Sequence, residues 1–267
     1  SWLCPPTLRP PILAIYNFAR TADDIADEGD ADATQRLQDL HAFRDELLAF
    51  AHGMDTNTSP QSPPLHRTRT HRWSAVFGPL VQAMRTHHLP VQQLLLLLDA
   101  FEQDVVFTQR QQRYSDRTEL LAYCERSANP IGRLLLHLYQ VDDEASLQQS
   151  DAICSALQLI NFWQDRRQDL ARGRDYLPQN SDMRSELAFA HMLMHRGVPL
   201  VHRLPGRAGW ELRLVVQGGL RILEQLYALS DAVLAQPHLQ PRPRLKALDI
   251  PRLLWRAAWM SAHKPRA

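Results

Sequence analysis

Residues 157–178 read LQLINFWQDRRQDLARGRDYLP, and their spacing governs how the rest of the chain is read. Gln158, Asn161, Asp165, Asp169 and Arg172 follow one another at steps of three, four, four and three. On an α-helix those steps put five polar groups on one face, with Leu157, Ile160 and Trp163 on the other side. A charged stripe is ordinarily the wet face of a helix. This one mixes amides with carboxylates and runs directly into Arg172 and Arg174. Guanidinium groups fork onto phosphate oxygens, whereas carboxylates reach a phosphate only through a metal ion. A helix carrying both is suited to a metal diphosphate.

A second acidic cluster supports that reading. Residues 16–30 read YNFARTADDIADEGD. Asp23 and Asp27 stand one helical turn apart, and Arg20 and Tyr16 extend the same stripe toward the N-terminus. Like charges at that spacing cost a few tenths of a kcal/mol, and a divalent cation reverses the sign. Hard oxygen ligands with positions left for water or phosphate are what Mg2+ prefers. Two acidic helices facing each other are expected to bracket Mg2+ around a diphosphate, next to an apolar cavity that keeps water from an allylic cation.

The remainder of the chain fits a helical scaffold. The 267 residues suffice for a buried core, and 45% hydrophobic with 22% charged is ordinary for a globular protein. Only 10 glycines are present, and most of the 18 prolines fall between apolar-periodic segments. Periodicity predicts helices at about 12–26, 33–51, 73–87, 91–106, 117–139, 146–171, 184–195, 208–235 and 249–262. The polar, proline-rich residues 53–72 read as a surface loop. Pro130, inside the predicted 117–139 helix, is expected to kink it and leave the Arg126 carbonyl without its helical partner. A formal charge of +1 gives no basis for nucleic-acid binding. Cys4, Cys124 and Cys154 are widely spaced without a C-x-x-C pair, which argues against a disulfide framework or structural zinc and suits a reducing cytoplasm. The leucine run at 94–98 is too short to span a bilayer. Trp255 and Trp259, one turn apart and followed by His263, Lys264 and Arg266, suggest peripheral contact with the inner face of a membrane, against the commoner alternative of a core tryptophan pair.

With these residues in view, the two acidic segments resemble the paired signature motifs of the squalene/phytoene synthase family. YCERSANPIGRLLLHLY at 123–139 is similar to the central helix of that family, and LPGRAGWELRLVVQGGLRIL at 204–223 to the C-terminal part of one branch. The phrasing is nearest the bacterial hopanoid-pathway branch, the hydroxysqualene synthases. The resemblance implies an all-α class I isoprenoid synthase bundle with a central cleft, and a single domain over residues 1–267. It implies Mg2+ held by Asp23, Asp27, Asp165 and Asp169 with Asn161 assisting. It assigns Tyr16, Arg20, Gln158, Arg174 and Tyr176 to the diphosphate or the reacting carbons, with Arg172 beside them, and Tyr123 and Gly132 to a hydrophobic tunnel.

The reaction implied is ionisation of presqualene diphosphate, rearrangement of the cation and capture by water to give hydroxysqualene. Head-to-head squalene or phytoene synthesis from two prenyl diphosphates is the alternative, as is a non-catalytic assembly protein on the same scaffold. Departures from the family pattern are the start at Ser1-Trp2, after the stretch that helps grip diphosphate, extra residues in QRQQR at 109–113, and too few residues between Pro178 and Leu204. Arg166 and Arg167 also stand where the branch has small or apolar residues. The chain is therefore expected to be truncated at its N-terminus and shortened after about residue 180.

Overall fold

The computed structural model describes residues 4–55 and 72–260. Every α or 3-10 element among them is helical and none is a strand. They gather into two compact units, one from residues 6–106 and one from residue 107 onward together with Cys4 and Pro5.

The first unit is built on α1 (Arg9–Asp27), α2 (Ala33–Asp55), α3 (Ser74–His87) and most of α4 (Val91–Arg110). Pro10 and Pro11 fall in the first turn of α1, where a missing N–H breaks no helical bond. Phe18, Phe43 and Phe77, one from each of α1, α2 and α3, are fully buried and meet at ring distances of 4.7–6.1 Å. Arg44 of α2 ties α4 in through Asp99 at 2.7 Å and Glu102 at 2.9 Å. The expected loop at 53–72 begins later, because α2 continues to Asp55; residues 56–71 lie outside the described residues.

The second unit centres on α7 (Glu144–Ala171), packed by α5 (Arg117–Ser127), α6 (Asn129–Leu138), α8 (Met183–Gly197) and α9 (Gly206–Tyr227). Asp116, Asp143 and Asp182 each cap a helix by accepting the amide three residues on, at 2.9–3.0 Å. The predicted 117–139 helix is two helices broken at Ala128, so the expected kink is absent. Pro130 stands at the start of α6, again where no helical bond is lost. The predicted 208–235 helix likewise stops at Tyr227, and Ser230 caps a single short turn, α10 (Asp231–Leu234). The final helix, α11 (Ile250–Ala258), packs on α9 and is shorter than the expected 249–262. Arg117 of α5 reaches the fully buried Glu186 of α8 with both Nε and Nη2, at 2.9–3.2 Å.

Candidate functional site

At the C-terminal end of α1 three carboxylates close on one guanidinium. Arg20 lies 2.8 Å from Asp23, 2.7 Å from Asp24 and 2.7 Å from Glu28. Helical geometry makes this arrangement, since residues at i+3, i+4 and i+8 from Arg20 lie on its side of the cylinder. Asp27 completes the acidic end of the helix half-buried, and Tyr16 is 59% exposed one turn before Arg20.

The second cluster sits on the last turns of α7. Gly173, at φ +80°, adopts the left-handed conformation that ends the helix. Arg174 donates its amide to the Asp169 carbonyl at 2.8 Å and Gly173 to Leu170 at 3.1 Å, the bond pattern of a glycine-terminated helix. The turn sends Arg174, Asp175 and Tyr176 back along the unit. Arg174 donates to the Thr108 hydroxyl at 3.0 Å. Tyr176 is buried and stacked on Phe162, with centroids 3.8 Å apart and planes 8° from parallel. Tyr123, Tyr114 and Tyr176 lie within about one ring's width of each other, at 5.8–6.1 Å, so sequence-predicted Tyr123 and Tyr176 belong to one aromatic cluster.

The residues at 109–113 also have a structural place. Gln111 turns the chain at φ +49°, and Arg113 then binds Asp175 at 3.0 Å and the Leu177 carbonyl at 3.0 Å. Arg166 is half-buried, donating to the Leu234 carbonyl at 3.1 Å. Burial lowers its guanidinium pKa, with Asp175 opposing and Arg113 adding to the shift.

Asp165 has a partner that local spacing does not suggest. Arg242 grips it with Nε and Nη2, the latter at 2.8 Å from Oδ2. The hydrogen bonds to Asp165 hold the Arg242 guanidinium above its ordinary pKa against desolvation, and the charges of Asp165 and Asp169 add to that. The segment carrying Arg242 is strapped to α7 on both sides of it. Gln240 donates to the Trp163 carbonyl, and Gln164 donates to the Pro243 carbonyl at 2.7 Å.

Beside this strap lies a groove of about 740 Å³ between α7, α9 and α11. Its polar lining includes Asn161, Gln164 and Arg242, and Leu157, Ile160, Ile222 and Leu253 give it an apolar wall. Leu157 and Ile160, expected on the face opposite the polar stripe, thus share a groove with Asn161, while Trp163 is fully buried. A volume in this range suits a small-molecule ligand. Gln158 lies half-buried on α7 one turn before Asn161, and Arg172 caps the helix. Gly132 is a close-packing position: a Cβ there would stand 2.4 Å from Ser150 Oγ and 2.6 Å from Cys154 Sγ.

Nothing in the local sequence marks Arg242 or Gln164 as part of this site. Arg242 sits in PRPRL, where proline-flanked arginines mark a loop and nothing marks a partner 77 residues earlier. Carboxylate oxygen is the donor type a hard cation takes, and in this structure each cluster closes on a guanidinium, Arg20 in one and Arg242 in the other. Among the described residues no three His, Cys, Asp or Glu side chains converge as a metal cage. Among them, too, no helix is long and apolar enough to cross a membrane.

Residues 1–183 match the family described as squalene/phytoene synthase. The chain is 35% identical over 181 residues to a hydroxysqualene synthase of Rhodopseudomonas palustris, covering 67% of this chain and 53% of that protein. The chain thus spans about half the length of that relative. It is 28% identical over 265 residues to a hydroxysqualene synthase of Sinorhizobium fredii, covering 90% of this chain and 82% of that one. Among solved structures it resembles squalene synthase HpnC from Alicyclobacillus acidocaldarius, with a TM-score of 0.69 at 30% identity over 89% of this chain and 87% of the other.

Proposed function

This chain belongs to the squalene/phytoene synthase family, and on that premise we propose that it converts presqualene diphosphate to hydroxysqualene with release of diphosphate. Its all-α fold is that of the squalene synthase-type isoprenoid synthases, as the sequence led us to expect. The observation that carries the reading is the groove beside α7, where Asn161 and the Arg242–Asp165 pair adjoin an apolar wall of Leu157, Ile160, Ile222 and Leu253. A polar head with a long hydrocarbon tail matches such a lining. The hydroxysqualene synthase names of the two curated relatives favour this reaction over head-to-head squalene or phytoene synthesis.

In this reading Asp23 and Asp27 on α1, and Asp165, Asp169 and Asn161 on α7, would offer oxygen ligands to Mg2+. When bound, Mg2+ neutralises the diphosphate and withdraws charge from the breaking C–O bond. Arg20, Arg172 and Arg174 supply donors for phosphate oxygens, and Gln158 and Tyr16 add polar contacts. Tyr123, Tyr176 and Phe162 form a buried aromatic cluster, and in this reading their bulk helps to exclude water from a cationic intermediate.

The test is incubation with presqualene diphosphate and Mg2+, followed by mass analysis of the lipid. Hydroxysqualene and free diphosphate are expected, with loss of both in Asp23→Asn and Asp165→Asn and on chelation. Turnover of farnesyl diphosphate with none of presqualene diphosphate would move the assignment to a condensing synthase. Inertness toward both would favour the non-catalytic role.

A lipid surface is the natural source of such a substrate. Leu248, Trp255 and Trp259, at 89%, 67% and 71% exposure, give the α11 end of the molecule apolar groups suited to an interface. Retention of the chain ending at residue 250 on anionic liposomes, equal to that of the longer chain, would remove this contact.

A further inference from the structure

On α8, His191 and His195 stand at i and i+4 with their Nε2 atoms 3.1 Å apart. Neither belongs to the acidic clusters or to the groove beside α7. We propose that this pair is a chelating site for a borderline transition-metal dication such as Zn2+ or Cu2+, with water completing the coordination.

The geometry supports this in three ways. Two imidazole nitrogens bonded to one ion at about 2.0–2.1 Å, and separated as here, subtend about 95–100° at the metal, between octahedral and tetrahedral angles. The ring centroids lie 4.4 Å apart, so a small outward swing turns the shared N–H···N contact into two metal bonds. The ring that donates in that contact moves its proton to Nδ1, and no net proton is lost. Second, the pair opens into a groove of about 480 Å³ bordered by Glu224 and Tyr227 of α9 and by Trp255 and Trp259, which leaves room for water ligands. Third, burial first and the neighbouring His191 second keep the His195 imidazole below its ordinary pKa, so it is a neutral ligand at neutral pH.

Glu224 also borders the groove, but it is engaged by Arg221, Arg252 and Arg256. The site is therefore a two-imidazole chelate. Imidazole nitrogen suits Zn2+, Cu2+ and Ni2+ and does not suit Mg2+, which separates this site from the carboxylates on α1 and α7.

The experiment is titration of the full chain with Cu2+ and with Zn2+ at pH 7.5, followed by calorimetry and tryptophan fluorescence. One-to-one binding is expected, with Cu2+ quenching that is largely lost in the Trp255→Phe/Trp259→Phe double variant. Affinity should fall at least tenfold in His191→Ala and in His195→Ala. It should be unchanged in His238→Ala and in Asp165→Asn, the latter keeping this result independent of the proposed Mg2+ chemistry. Circular dichroism confirms that each variant is folded. Parental affinity in either His191→Ala or His195→Ala overturns the proposal, as does binding spread over several equivalent weak sites.

Discussion

Asp165 and Arg242 form a two-point ion pair across 77 residues of sequence, fastened by flanking bonds from Gln240 to Trp163 and from Gln164 to Pro243. A carboxylate that gives both oxygens to a guanidinium cannot give both to a second cation. Arg242→Ala is therefore expected to lower the Mg2+ concentration needed for half-maximal diphosphate release. The pair is partly exposed, so stability should change by no more than about 1 kcal/mol. A higher Mg2+ requirement in the variant would show that the guanidinium assists the loaded site instead of competing with the metal.

The Arg117–Glu186 pair should behave differently, because its carboxylate is fully buried. Arg117→Ala strands a charge out of water and should cost about 3–5 kcal/mol in denaturant unfolding. The double replacement Arg117→Met/Glu186→Leu should recover most of that loss, since it removes the stranded charge as well as its partner. Equal losses in the single and double variants would mean that packing, not charge, is what the pair supplies.

Two glycines should respond with opposite signs to the same substitution. A Cβ at Gly197, where α8 ends against α7, would lie 2.3 Å from Ile153 Cγ1 and 2.7 Å from the Gln149 carbonyl oxygen. The carbonyl belongs to a helix backbone and cannot step aside, so Gly197→Ala should destabilise by about 1–3 kcal/mol. Gly53 lies within α2 with no group from elsewhere in the fold inside 4 Å of a Cβ. Gly53→Ala should stabilise by roughly 0.4–1 kcal/mol by restricting the unfolded chain. Paired thermal melts of the two variants read both effects.

Acid should loosen α11. Burial alone would raise the Glu224 carboxyl pKa, but the hydrogen bonds from Arg256 and Arg221 and the charges of Arg256 and Arg252 outweigh it and hold it below its ordinary value. A depressed carboxylate contributes stability that is present above its unfolded pKa of about 4.3 and lost as pH falls through the lower folded value. The melting temperature of the parent should therefore fall more steeply than that of Glu224→Gln as pH drops below about 4.5. Parallel curves would show that Glu224 holds α11 without a net electrostatic contribution.

Helix positions were largely legible because they are local. The i, i+3, i+4 pattern and the Asp116, Asp143 and Asp182 caps depend on residues within one turn. The misread boundaries share a cause. Ala128 breaks the 117–139 pattern and Ser230 restarts a turn after α9, and in both places the apolar period continues across the break. Periodicity records which residues face inward, and it does not record whether the backbone between them stays helical.

The acidic clusters divide the same way. Sequence alone determined that Arg20 shares a helical side with Asp23, and that Asn161, Asp165 and Asp169 form one stripe, because the helical repeat fixes both. It also determined the family, because those two motifs recur together at this spacing. Only the tertiary structure decided that Asp165 is gripped by Arg242, that Tyr176 stacks on Phe162, and that His191 and His195 open on a groove bordered by Trp255 and Trp259. Such partners are chosen by how helices pack and where loops return, and a local sequence pattern carries no record of either.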